Sequence, residues 1–234
     1  MKISGGLIEN GIVVGNAYDK YGSSNIFERW LVQGFVSAMT ELVDKVNPTS
    51  IHEVGCGEGY WTLKWLEQGI VARGSDFSSN VTEMAQANAL SLKLQVVTFK
   101  VCNIYDLNPD VDAANLVVCC EVLEHLECPE DGLQALQAIA SPYLIISVPR
   151  EPLWSAMNMA RGKYWTDWGR EYAWPYAKLV STPVLGACVA LFRGAGSSVS
   201  YSVDDSAMLS QLTLAVTQIF LPKTYCPIPF GHYN

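Results

Sequence analysis

Three acids, three glycines and an amide are spaced between residues 53 and 121 of this 234-residue chain so that they could hold a nucleotide. Glu53 sits in Ile51-His52-Glu53-Val54, which reads as the end of a buried strand. Gly55, Gly57 and Gly59 follow as G-x-G-x-G, and Tyr60 to Gln68 reads as a helix. Glycines at such a turn let the backbone bend sharply and approach a ligand, because no Cβ intervenes. A strand, a glycine turn and a helix N-terminus together make a nucleotide-binding corner. The spacing differs from the G-x-G-x-x-G of dinucleotide sites, and a plain strand-to-helix turn is the alternative.

Asp76, in Gly74-Ser75-Asp76-Phe77, could accept both hydroxyl protons of a ribose, as the acid beyond a glycine loop does in dinucleotide sites. Its other reading is a helix N-cap, although Ser78 and Ser79 could cap equally well. Phe77 and Ile104 could sandwich a flat base, or be ordinary core. Asn103 could pair with a base edge, or be a turn residue. Glu121 falls at the mouth of the sheet, and His125 suits either helix packing or a pocket.

Strand and helix signals alternate around these residues. Strands are expected at 50–55, 71–76, 95–101, 115–120 and 143–148, and helices at 59–68, 79–91 and 131–139. An earlier helix over Ile26–Val46 is capped by Ser24 or Asn25 and stopped by Pro48. Alternation of this kind implies a parallel sheet covered on both faces, a doubly wound α/β fold. Leu116–Cys120 and Leu144–Val148 are continuous apolar runs, as doubly buried parallel strands require. Ligands of such sheets bind outside the carboxyl ends of the strands, where Glu53, Asp76, Asn103 and Glu121 fall.

Composition narrows the classes. Half the residues are apolar and 16% are charged, ample for a core. A net charge of −8 argues against a general nucleic-acid binder. No 18-residue apolar run exists, so no membrane span is expected. Met1–Asn10 lacks the apolar stretch of a secretory signal, which points to the cytoplasm. The seven cysteines are odd in number and form no C-x-x-C pair, which fits reduced thiols and predicts neither metal nor disulfide.

Four segments then carry a resemblance. Glu53-Val54-Gly55-Cys56-Gly57-Glu58-Gly59, Asp76, Asn103-Ile104-Tyr105-Asp106-Leu107 and Glu121-Val122-Leu123-Glu124-His125 are similar to the successive motifs of class I S-adenosylmethionine-dependent methyltransferases. The resemblance covers residues 14–168. It implies that Gly55 and Gly57 hold the methionine moiety of S-adenosylmethionine, Asp76 its ribose and Asn103 its adenine, where the family usually has Asp. It also implies a lid before the first helix, where Tyr18 and Tyr21 lie; two surface aromatics packing the N-terminal segment are the alternative. A small-molecule acceptor is expected, with His125, Tyr18, Tyr21 and Glu151 as candidate general bases. Trp154, Tyr164, Trp165 and Trp168 could line its pocket. The competing readings are a degenerate cofactor-binding protein without catalysis and an NAD-dependent oxidoreductase.

From residue 170 the character changes. Only Arg170, Glu171, Lys178, Arg193, Asp204, Asp205 and Lys223 are charged there, and the helix–strand alternation stops. The chain therefore divides into a cofactor-binding domain, 1–169, and an atypical tail, 170–234. The family expects a helix and two antiparallel strands in that position. Permissible codons for Glu171–Met208, shifted by one nucleotide, can encode that pattern, so a frameshift near residue 169 is one account of the tail. Such a shift would leave the sheet incomplete at its C-terminal edge. A divergent C-terminal subdomain is the other account.

Overall fold

The computed structural model describes residues 1–9, 11–94, 99–149, 187–195 and 198–201. A seven-stranded sheet organises them, in the order β5(Phe99–Val101), β4(Ala72–Asp76), β3(Ile51–Val54), β6(Ala114–Cys120), β7(Ala140–Pro149), β8(Ala187–Ala195), β9(Ser198–Tyr201). The first five are parallel. β8 and β9 each pair antiparallel with the strand before them. The sheet thus continues past β7, where a shifted frame would have ended it.

Strand order reverses between β3 and β6, so the crevice outside their carboxyl ends is the natural ligand position. Both strands are buried on both faces; β6 accordingly reads as an apolar run over Leu116–Cys120, whereas β3 buries His52 and Glu53. On one face, Met39 and Val43 of α1(Ile26–Val46) and Trp61 and Trp65 of α2(Tyr60–Glu67) pack on Ile51, Leu116, Val118 and Ile145. On the other, Leu136 and Ile139 of α5(Pro129–Ile139) pack on Val54, Val117, Cys119, Leu144 and Ile146. Losing one of these large side chains to alanine costs about 2–5 kcal/mol.

The helix ends follow the capping expectations. Asn25 accepts from the Glu28 N–H at the start of α1. Ser78 caps α3(Ser79–Ser91), its Oγ accepting from Val81 N. Capping therefore does not fall to Asp76. A four-residue helix, α4(Pro109–Asp112), is capped by Asn108.

Residues 1–24 contain a short hairpin, β1(Ile8–Glu9) and β2(Ile12–Val13), which sequence reading missed. The strand expected over 95–101 appears at 99–101, its earlier part lying outside the described residues. Glu151 and the aromatic loop with Trp154, Tyr164, Trp165 and Trp168 also lie outside them. Cys56, Cys102, Cys119 and Cys120 are free thiols, as expected. Cys128 is disulfide-bonded, a correction to the reduced-thiol expectation; it stands at the N-cap of α5 and not in a strand. Among the described residues no helix is long and apolar enough to cross a membrane.

Candidate active site at the carboxyl rim of the sheet

The rim is organised by the turn between β3 and α2. Gly55 and Gly57 take φ of +76° and +50°, the left-handed region that penalises any side chain. Gly55 is doubly constrained, since a Cβ there would lie 2.2 Å from Cγ2 of Val122. The turn is pinned to β4: Gly55 N and Cys56 N both donate to Ser75 O, at 2.8 and 3.0 Å. Gly57 N donates to Asp76 Oδ2 at 3.0 Å, so the acid and the glycine turn form one unit.

Asp76 is 8% exposed and its second oxygen, Oδ1, accepts from Ser78 N at 3.0 Å. Burial raises its pKa, while the Ser78 and Gly57 N–H donors oppose the rise. Glu53 is buried beneath the same rim, and its Oε2 accepts from both the backbone N and the hydroxyl of Thr62 in α2. Burial pushes the Glu53 pKa up to about 8, with the neighbouring Asp76 charge adding to the Thr62-opposed shift. Glu121 directly follows β6 with φ +57°; its N donates to Ser147 O and its Oε1 accepts from Ser147 Oγ, both at 3.0 Å. Burial raises its pKa, and the Lys20 charge opposes this.

The other predicted residues part company. Phe77 is 44% exposed beside Asp76. Asn103 is exposed, and its Oδ1 accepts from Tyr105 N at 3.2 Å, opening a 3-10 turn over Ile104–Asp106. Ile104 is buried in the core cluster with Val54 and Ile139. His125 is exposed, with Nε2 3.9 Å from Glu124 Oε1. Tyr18 is exposed, whereas Tyr21 turns inward and stacks on Tyr60 at 3.5 Å between centroids, the rings nearly parallel. Burial raises the Tyr21 phenol well above its ordinary range, helped by the nearby Cys120 and Glu53.

Two polar centres escaped the sequence reading. Glu58, inside the glycine turn, is 1% exposed. Its Oε1 accepts from Ser4 N and Asn16 N, both at 2.8 Å, and its Oε2 from Asn16 Nδ2 at 2.6 Å. Burial works to raise its pKa, yet these N–H donors hold it below the usual carboxylate value. A carboxylate between two glycines was the available signal, but its partners lie over forty residues away. His52 bridges β3 to Ser75 Oγ at 2.9 Å through Nε2 and to Asp112 O at 2.8 Å through Nδ1. Burial lowers its pKa, which keeps the ring neutral.

Residues 51–142, the segment holding the glycine turn, Asp76, Asn103 and Glu121, match the family described as methyltransferase domain. This segment is a methyltransferase domain. The chain is 26% identical over 90 residues to the ubiquinone biosynthesis O-methyltransferase of Coxiella burnetii, a stretch that is 38% of either chain. It is likewise 26% identical over 109 residues to a protein named as a methyltransferase from Geobacillus sp. (strain WCH70), covering 47% of this chain and 43% of that one. The chain thus spans less than half the length of these curated relatives. Among solved structures it resembles a magnesium protoporphyrin IX methyltransferase from Synechocystis PCC 6803, crystallised with bound SAH. The TM-score is 0.58 at 18% identity, covering 75% of this chain and 91% of that one. At that identity the likeness establishes the fold around the methyltransferase domain, a Rossmann-like sheet with a parallel five-stranded centre.

Proposed function

We propose that this chain transfers a methyl group from S-adenosylmethionine to a small-molecule acceptor, with residues 1–169 forming the cofactor-binding unit. The observation that carries the reading is the bond from Gly57 N to Asp76 Oδ2, which joins the glycine turn to the acid at the strand rim. The rim fits an adenosyl group. The glycine turn offers side-chain-free backbone for the methionine moiety. A carboxylate has about four lone-pair sites, and Asp76 uses two of them on Gly57 N and Ser78 N, which leaves capacity for ribose hydroxyls. Asn103 and Phe77 are exposed and suit the edge and face of adenine. Ile104, already committed to the core, is left out of this set.

The cofactor supplies a methyl group already activated on a sulfonium, so the protein's tasks are binding, alignment and exclusion of water. Glu53 and Glu121 line the floor beneath the rim as acids whose charged forms burial disfavours. A cationic group placed above them would favour ionisation, which couples cofactor entry to proton release. A weakly nucleophilic acceptor would also need a general base. Tyr21 is a poor one, its phenol being buried against Tyr60. His125, with its ring exposed one short turn beyond Glu121, suits that role better.

Calorimetry with S-adenosylmethionine, SAH and NAD tests the reading. The first two are expected to bind stoichiometrically and NAD not at all; binding of NAD alone would replace the proposal with an oxidoreductase. Binding of S-adenosylmethionine without turnover on a panel of phenol, amine and carboxylate acceptors would support a cofactor-binding protein instead.

A further inference from the structure

We infer that Glu58 is a positioning residue that latches the N-terminal segment over the glycine turn, making residues 2–9 and 11–16 one wall of the cofactor site. This inference rests on the cofactor reading above. The segment is joined to the turn by a compact polar knot. Glu58 takes three hydrogen bonds from Ser4 and Asn16. Ser4 Oγ in turn donates to Val14 O at 2.8 Å and Asn16 O at 3.0 Å, which closes the loop at its base. A second tie lies one helix away. Asn88 of α3 accepts from Lys2 N at 2.7 Å and donates to both Lys2 O and Glu58 O at 3.0 Å.

Steric fit is as tight as the bonding. Gly15 takes φ +64°, and a Cβ there would fall 2.5 Å from Glu58 Oε1. On the other side, the Cα of Gly15 lies 3.7 Å from the place a Gly57 Cβ would occupy. Gly57 is the residue whose N–H meets Asp76. The segment therefore bears on the same backbone that would receive the cofactor. A carboxylate fully buried by donors from a distant segment is costly to leave unpaired. Opening the segment uncovers that carboxylate to water, whereas deleting the carboxylate leaves the half-buried N–H groups of Ser4 and Asn16 without their acceptor. Glu58 thus favours the closed arrangement and sets how fast a bound ligand can leave.

The test uses the full chain, with Glu58→Ala, Glu58→Gln and Gly15→Ala. SAH dissociation is followed by stopped flow, and amide hydrogen exchange is read over residues 2–16. Gln keeps an acceptor for the Ser4 and Asn16 N–H groups, and an amide flip of Asn16 restores the third bond. Glu58→Gln is therefore expected to stay within about threefold of the parent chain, whereas Glu58→Ala and Gly15→Ala speed dissociation by about tenfold or more. Exchange of the segment should rise in parallel, with protection of β3 and β6 unchanged. Faster exchange of the segment with an unaltered SAH off-rate would overturn the inference while leaving the cofactor reading intact. Failure of the parent chain to bind SAH would overturn both.

Discussion

Asp76 ties down the glycine turn through Gly57 N and is proposed to anchor the cofactor ribose with the same carboxylate, and this sets what its loss should do. Removing it frees Gly57 N and deletes the proposed ribose anchor together. Asp76→Ala is expected to weaken S-adenosylmethionine binding by about 1–3 kcal/mol, the scale of charge-assisted hydrogen bonds. Calorimetry reads this directly, and unchanged affinity would remove Asp76 from the site. Glu53 gives a pH signature. Its folded pKa of about 8 stands above the ordinary 4.5, so the folded chain holds a proton that the unfolded chain releases. The stability it contributes is complete below pH 4.5 and is lost as pH rises toward 8. Glu53→Gln should therefore gain thermal stability over the parent chain across that window; a difference independent of pH would contradict the assignment. His52 has the opposite sign. Its lowered pKa means stability is present above the ordinary 6.5 and is lost as pH falls below it. The slope on that acid side should flatten in His52→Gln.

The contrast between these residues explains what could be read without coordinates. The strand-end place of Asp76 was legible because the strand expected at 71–76 ends there, and Ser78 was visibly able to take the cap. Tyr21 was not, because stacking on Tyr60 depends on how the entry segment folds back. Glu58 and His52 were invisible for a related reason: their partners, Ser4, Asn16, Ser75 and Asp112, are brought near only by the assembled sheet.

At the scale of elements, the periodic helices and the apolar strands fell where their patterns put them, usually within a residue or two. Elements too short to show a period did not. The β1–β2 hairpin has two residues per strand and α4 has four. The turn between β3 and α2 makes the sharpest prediction here. Gly55→Ala would force a Cβ into Val122 while keeping φ positive, and should destabilise the chain by about 2–4 kcal/mol from strain and overpacking. Val122→Ala removes the overlapping methyl group. The double variant should recover part, but not all, of the loss in chemical denaturation. Simple addition of the two losses would show that the contact is not the cause.

For the whole molecule, the tail is where sequence and structure differ most. A change of composition at residue 170 gave reason to expect an open edge, yet β8 pairs along Tyr143–Pro149 of β7. Backbone pairing of that kind makes few demands on charge or period, so low-charge chain can supply it without announcing itself. Two antiparallel strands thus come from the tail as written, and a shifted frame is not needed to close the sheet. Resequencing the gene through codon 169 checks this, and an interrupted frame would restore the frameshift account. A chain ended at residue 186 should expose the β7 edge and self-associate, since unpaired edges recruit other strands. Light scattering coupled to size exclusion would show this, and a monodisperse truncated chain would deny β8 its covering role.

All of these expectations converge on one crevice between β3 and β6. A crystal of the full chain grown with SAH tests it most directly. The account predicts adenosyl density across the carboxyl rim, with the ribose hydroxyls on Asp76, the adenine beside Asn103 and the amino-acid portion over Gly55 and Gly57. A rim without ligand density at saturating SAH, or SAH bound elsewhere on the molecule, would contradict it.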